Sequence, residues 1–228
     1  MVNYQGHRIL AQSIIPGILN NSELSSLAEY GTVDEQQTIQ SNEQFHGMMK
    51  EVCEKMNIQV NKLLDGEGKE VELAGCVEVK GIRGTDKRCY IVDVQGMTPR
   101  DANFLGEEYH TCLVRQELLV LYQRHLQMEH AKSKMGAFDK ELEAELKEKE
   151  PKVEEGKEAT EEQVKALTEL KQKLSVKKIE HIDHLMKEVP AVVFNTNVFK
   201  KAKLAMSAEE IKAEEKKVES LAEFIKAT

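Results

Sequence analysis

Tryptophan is absent from this 228-residue chain, aromatic residues make up only 5% of it, and positive charge is outnumbered, leaving a formal net charge of -8. An acidic balance excludes a protein that grips nucleic acid through bulk electrostatics, because phosphate neutralisation needs clustered Lys and Arg. Any nucleic-acid contact has to be local. No apolar run approaches the roughly 18 residues that a bilayer-spanning helix needs, so no membrane insertion is expected. The opening residues Met1-Val2-Asn3-Tyr4-Gln5 lack the basic and apolar regions of a signal peptide, and the expected address is cytoplasmic.

Cysteine is also sparse. The four cysteines, Cys53, Cys76, Cys89 and Cys112, form no CxxC pair, so neither a zinc site nor a redox motif is indicated and buried thiols are expected. The chain shows no GxxxxGK phosphate loop, no GxSxG nucleophile elbow and no HExxH pair. The expectation is a non-enzymatic protein without cofactor or metal.

What is present is 40% hydrophobic residues, enough for a real core, beside 32% charged residues, the balance of long solvated helices attached to it. Residues 7–15 are β-branched and apolar and stop at Pro16-Gly17, which predicts a strand buried on both faces. A weaker strand signal covers residues 27–30, before Gly31. Ser41, with Gln44 three positions on, reads as a capping box for a helix carrying Phe45, Met48, Met49, Val52, Cys53 and Met56 on one face. Met at helical spacing fills cores more often than it lines grooves. Residues 77–83 and 88–94 flank Gly84-Thr85-Asp86-Lys87 as an antiparallel hairpin. Its expected register puts Cys76 opposite Gln95 and Cys89 opposite Ile82, so the two cysteines do not meet. Residues 98–103 read as a tight polar loop. Residues 112–127, apolar around most of the circumference, predict a helix covered on more than one side.

From about Lys132 the composition shifts to Lys and Glu, and residues 139–162 carry 11 acids against 5 Lys. Met135, Phe138, Leu142 and Leu146 mark one amphipathic helix, residues 151–156 supply breakers, and Thr160 with Gln163 caps a second helix carrying Val164, Leu167, Leu170 and Leu174. A helical hairpin within the chain is favoured over an intermolecular coiled coil, since the apolar seam is short and Lys177 interrupts it. Ser207 with Glu210 caps a last helix with Ile211, Val218, Leu221, Ala222 and Ile225 on one side. The expected fold is therefore α+β, a small antiparallel sheet with packed helices, followed by a charged helical hairpin arm and a terminal helix. Segment boundaries are expected at 1–131, 132–178 and 179–228.

The series Tyr4-Gln5-Gly6-His7-Arg8, Ala11-Gln12-Ser13-Ile14-Ile15-Pro16-Gly17-Ile18-Leu19 and Val79-Lys80-Gly81-Ile82-Arg83-Gly84-Thr85-Asp86 resembles the C-terminal half of the Clu domain of clustered-mitochondria proteins. The pattern continues through Cys89-Tyr90-Ile91-Val92-Asp93, Thr98-Pro99-Arg100-Asp101-Ala102-Asn103 and Leu113-Val114-Arg115-Gln116-Glu117-Leu118, and Phe194-Asn195-Thr196-Asn197-Val198-Phe199 resembles the stretch that follows that domain in the family. This resemblance implies binding of messenger RNA, association with translation initiation factor three or other ribosome-associated proteins, and a role in mitochondrial distribution. It also implies a partner, since family members carry further Clu sequence before this point: the missing N-terminal Clu half, or another chain in its place.

The best polar constellation is Lys80, Arg83, Lys87 and Arg88 around the hairpin turn, placed for phosphate contacts without base readout. A solvated turn is the bland reading, with Glu78 and Asp86 diluting the charge. Asp93, Arg100, Asp101 and His110 follow; an acid at a strand end could hold Mg²⁺ with a phosphate, but capping of turns and pairing with Arg100 or Arg115 is the simpler reading. His181 and His184 share a helix face without further ligands, which favours a solvated helix over a metal site.

Overall fold

The computed structural model describes residues 2–5, 7–9, 11, 13–20, 28–33, 37–109, 112–149 and 160–228. β1 (Val2–Tyr4) and β2 (His7–Ile9) form a local antiparallel hairpin with Val2 opposite Ile9, turning through Gln5 at φ 46°. The long strand expected over 7–15 is thus corrected: it ends at Ile9, and Ile15 is buried just before a turn at Pro16-Gly17. Leu10 and Gln12 lie outside the described residues, as do Leu27, His110 and the breakers at 151–156.

The weak strand signal marks the middle of the main sheet. β3 (Ala28–Val33) runs through Gly31, which sits at φ 99°, and a Cβ there would run into the Val79 carbonyl oxygen. Only glycine allows that approach. β4 (Thr38–Gln40) leads into α1 (Glu43–Met56), whose N-cap is Asn42 and not the expected Ser41. The Asn42 carboxamide oxygen accepts from the amides of Gln44 at 3.0 Å and Phe45 at 3.4 Å, while its nitrogen donates to Glu29, so the helix starts one residue later. Phe45, Met49 and Cys53 face the core. Met48 and Val52 are exposed, which narrows the expected stripe.

β5 (Val60–Leu64) and β6 (Glu70–Ala74) form a further antiparallel hairpin, not among the elements expected from the sequence. β7 (Lys80–Arg83) and β8 (Cys89–Val92) form the expected one, completing a four-stranded antiparallel sheet of order β4-β3-β7-β8. Its register is corrected by one residue: Ile82 faces Tyr90 and Arg83 faces Cys89. The cause is Lys87, whose left-handed φ of 64° adds a residue to the turn, with Gly84 and Arg88 closing it at 3.0 Å. All four cysteines are free, Cys53 and Cys76 being buried and Cys89 and Cys112 half-buried. Burial pushes the Cys53 thiol up to about 11 and Cys76 to about 12.

α2 (Gln116–Lys149) begins four residues later than the 112 expected, because the backbone just before it is already committed. Cys112 accepts from the Asp101 amide at 3.1 Å and Val114 donates to Pro99 at 3.0 Å. α3 (Glu161–Lys187) starts at the expected Thr160–Gln163 capping box and α4 (Ala208–Ala227) at Ser207–Glu210. The fold is therefore α+β, with a small antiparallel sheet, packed helices, a helical arm and a terminal helix.

The chain divides into two compact units, Met1–Gln116 with Val193–Thr228, and Glu117–Val192. The compositional boundaries at 132 and 178 fall inside α2 and α3.

The second unit is an antiparallel helix pair. Phe138 stacks on His181 at 3.9 Å between ring centroids, and Asp139 pairs with Lys178 at 2.7 Å. Ala131, Met135 and Leu185 are buried between the helices. The first turns of α2 are not covered all round as expected: Val120 is 62% and Leu121 45% exposed, because α3 stops at Lys187 short of that end.

The first unit is completed by residues from the far end of the chain. Phe194 bridges Ile58, and Leu204 bridges Leu63, so the segment after the arm lies along the outer edge of β5. There Leu64 donates to Lys203 and Ala205 to Lys62, each at 2.8 Å. Asn197, 1% exposed, accepts from the Val77 amide at 2.7 Å and donates to the Gly75 carbonyl at 3.2 Å. Its own amide donates to Asn195. Such buried backbone groups are costly to leave unpaired.

Two outcomes are expected. Asn197→Ala strands the Val77 amide and the Gly75 carbonyl and lowers stability by about 2–4 kcal/mol in urea unfolding. In the arm, Lys134 and then His130 hold the Glu188 carboxyl down to about 2. A depressed carboxyl contributes stability above its ordinary value, and that contribution is lost as pH falls towards 2. Thermal melts should show Glu188→Gln losing part of the acid-side drop seen in the parent.

Candidate functional site: the hairpin turn

The turn between β7 and β8 is held from both sides. Thr85 donates its amide to the Pro16 carbonyl at 3.0 Å, and Lys87 donates to Gly84 at 2.9 Å. A Cβ on Gly17, which has φ +90°, would collide with the Thr85 side chain. Pro16-Gly17 is therefore a buttress for the turn, and its glycine is required by close approach. Asp86 stiffens the tip by accepting from the Arg88 amide at 3.2 Å and the Tyr90 hydroxyl at 2.7 Å. The Tyr90 hydroxyl first, and then Arg88, hold the Asp86 carboxyl below its ordinary range.

The four candidate cations do not form one patch. Arg83 is engaged elsewhere: its Nε and Nη2 donate to the two Glu29 oxygens at 2.8 and 3.0 Å, Nη2 also reaches Gln44 at 3.1 Å, and Nη1 contacts the Cys89 sulfur at 3.5 Å. Its guanidinium lies 5.7 Å from the centre of the Phe45 ring. Glu29 pulls its proton affinity further up. This is a bidentate tie between β7, β3 and α1. Lys80 lies three positions away on the same strand, and strand alternation puts it on the opposite face. Lys87 and Arg88 are exposed at the tip, Arg88 lying 3.8 Å from Asp86 with its side chain 81% exposed. The turn thus presents two exposed cations around one carboxylate.

The loop after β8 has a structural role. Asp101 is buried and accepts from the Asn103 amide at 2.9 Å, the turn-capping role expected of it. Arg100 does not pair with either aspartate. It donates to the carbonyls of Phe199, Phe104 and Tyr109 at 3.1, 3.3 and 2.9 Å, tying the loop to the returning segment. Asp93 sits in the left-handed region at φ 58° without a side-chain cap bond. Among the described residues no group of three or more His, Cys, Asp or Glu could hold a metal ion. His181 is stacked on Phe138, and His130 lies 3.0 Å from Glu188. Among the described residues no helix is long and apolar enough to cross a membrane.

The sequence that builds this α+β scaffold and its buttressed hairpin matches a known family. Residues 1–104 match the family model described as "Clustered mitochondria". The chain is 38% identical over 137 residues to the clustered mitochondria protein of Arabidopsis thaliana, covering 60% of this chain and 10% of that protein. The homologue from Homo sapiens is 35% identical over 143 residues, 55% of this chain and 11% of the relative. The homologue from Aspergillus terreus is 32% identical over 173 residues, 71% of this chain and 14% of the relative. Over its first 104 residues the chain belongs to the clustered mitochondria family. It spans about a tenth of the length of the curated relatives it matches. No solved structure gives a significant match.

The two kinds of cation separate by mutation. Arg83→Ala should lower the urea midpoint measurably, since a partly exposed bidentate pair is lost together with its contact on Phe45. Lys87→Ala and Arg88→Ala should each stay within about 0.5 kcal/mol of the parent. Equilibrium urea unfolding checks both.

Proposed function

We propose that this chain is a non-enzymatic, cytoplasmic part of the clustered mitochondria system, supporting mitochondrial distribution by binding messenger RNA and the translation machinery. The observation that carries the RNA part is the rigid hairpin turn with Lys87 and Arg88 exposed at its tip. Cations fixed on a scaffold contact phosphates at little entropic cost and read no bases. The mode is local, as the net charge of -8 requires. In this reading Arg83 positions the hairpin, and Lys80 is a flanking contact on the other strand face. Translation initiation factor three and ribosome-associated proteins are the protein partners the family suggests.

A second reading, of a protein-binding scaffold without an RNA role, is favoured by the β1–β2 hairpin. Val2, Tyr4 and Ile9 are 58%, 62% and 49% exposed there, and a lone two-stranded hairpin is marginal in water. An N-terminal Clu half, in the same or another chain, is the partner this surface suggests. The carboxylates of Asp93 and Asp101 leave a phosphate-handling enzyme as the least supported alternative.

The test is ultraviolet crosslinking to RNA in cells, followed by sequencing. Lys87→Ala/Arg88→Ala should reduce crosslinking several-fold and deplete messages for mitochondrial proteins, whereas Lys212→Ala/Lys216→Ala on α4 should not. Equal crosslinking of the hairpin variant and the parent contradicts the RNA reading and leaves the scaffold.

A further inference from the structure

α3 has two faces. One carries Leu174 and Leu185, buried in the arm's helix pair. On the other, Glu169, Gln172, Val176, Ile179, Asp183 and Lys187 recur at spacings of three and four, so they form one stripe along the helix, and all six are exposed. At its middle Val176 is 53% and Ile179 58% exposed, an apolar pair one turn apart where a solvated face would be polar.

The stripe is self-complementary under a two-fold axis. With the axis between Val176 and Ile179, an antiparallel copy sets Val176 against Ile179 of its partner and Gln172 against Asp183, a neutral donor against a carboxylate. Glu169 then falls opposite the turn that ends in Lys187. Each pairing occurs twice, as a two-fold interface demands.

The charge of the whole arm runs the same way. In its outer half, residues 139–149 and 161–170, four Lys stand against eight acids; in its inner half, residues 116–138 and 171–187, eight Lys and Arg stand against four acids. An antiparallel neighbour lays each acidic half on a basic one. α3 is 27 residues long, about 40 Å, long enough for a helix-on-helix contact of useful area.

We propose that the outer face of α3 is a docking surface for α3 of a second copy of this chain, joining two arms antiparallel through Val176 and Ile179 with Glu169 and Lys187 pairing across the axis. The contact is salt-sensitive, because its flanks are exposed ion pairs.

Sedimentation velocity on the full chain, with far-UV circular dichroism to establish folding, tests this. The parent should be dimeric at low salt and dissociate more readily at about 1 M salt. Ile179→Glu should raise the dissociation constant by about tenfold or more while helicity is unchanged. Glu169→Lys should also weaken the dimer, and adding Lys187→Glu to the same chain should restore it, since each residue meets the other's position in the partner. A parent that stays monomeric at high concentration overturns the proposal. So does a dimer that is indifferent to Ile179→Glu, or a charge-reversed double variant no better than Glu169→Lys alone.

Discussion

The first unit depends on a chain return that spans more than a hundred residues. Asn197 satisfies the backbone at Gly75 and Val77, and Phe194 and Leu204 line the outer edge of β5. Without that segment the amides and carbonyls of β5 lose their partners on that side, and Ala202 and Leu204 no longer pack against the core containing Tyr30, Phe45, Leu63 and Leu73. The cost of unpaired buried backbone makes the return obligatory for the packed state. The family model matches residues 1–104, and the compact unit takes in Val193–Thr228 as well. Residues 117–192 thus interrupt the first unit along the chain.

A second constraint links the core to the turn. Tyr30 sits fully buried in β3, and its hydroxyl accepts from the Ala74 amide at 2.7 Å and lies 3.2 Å from His46 Nδ1, so sheet, β6 and α1 meet at one oxygen. Burial pushes that hydroxyl's proton affinity well up, which keeps it neutral. One strand over, Arg83 ties β7 to Glu29 and Gln44. Hairpin rigidity thus comes from the scaffold behind it, leaving Lys87 and Arg88 at the tip without structural duties of comparable weight.

How much of this was legible in the sequence follows from how local each signal is. The capping boxes at Thr160 and Ser207 involve residues three apart, and both appear where the pattern put them. The β7–β8 hairpin was legible as an element, but its register depended on Lys87 entering the left-handed region, which residue type alone does not announce. β3 gave a weak signal because its buried faces show no alternation and Gly31 interrupts it. The β5–β6 hairpin was missed although Asp65-Gly66-Glu67-Gly68 is a turn signal, and the Asp65 side chain does accept there from Glu67 and Lys69. At the site, residue types alone grouped four cations. The pairing of Arg83 with a glutamate 54 positions away has no local signature.

Native-state hydrogen exchange under graded urea tests the central claim, that the returning segment and the sheet are one cooperative body. The amides of Gln59, Leu64, Val77 and Ala205 should open together with those of β3 and β7, converging on a single unfolding free energy. If Ala205 and the α4 amides instead exchange in a separate, much less stable opening while β7 stays protected, the segment is an appendage and the account is contradicted.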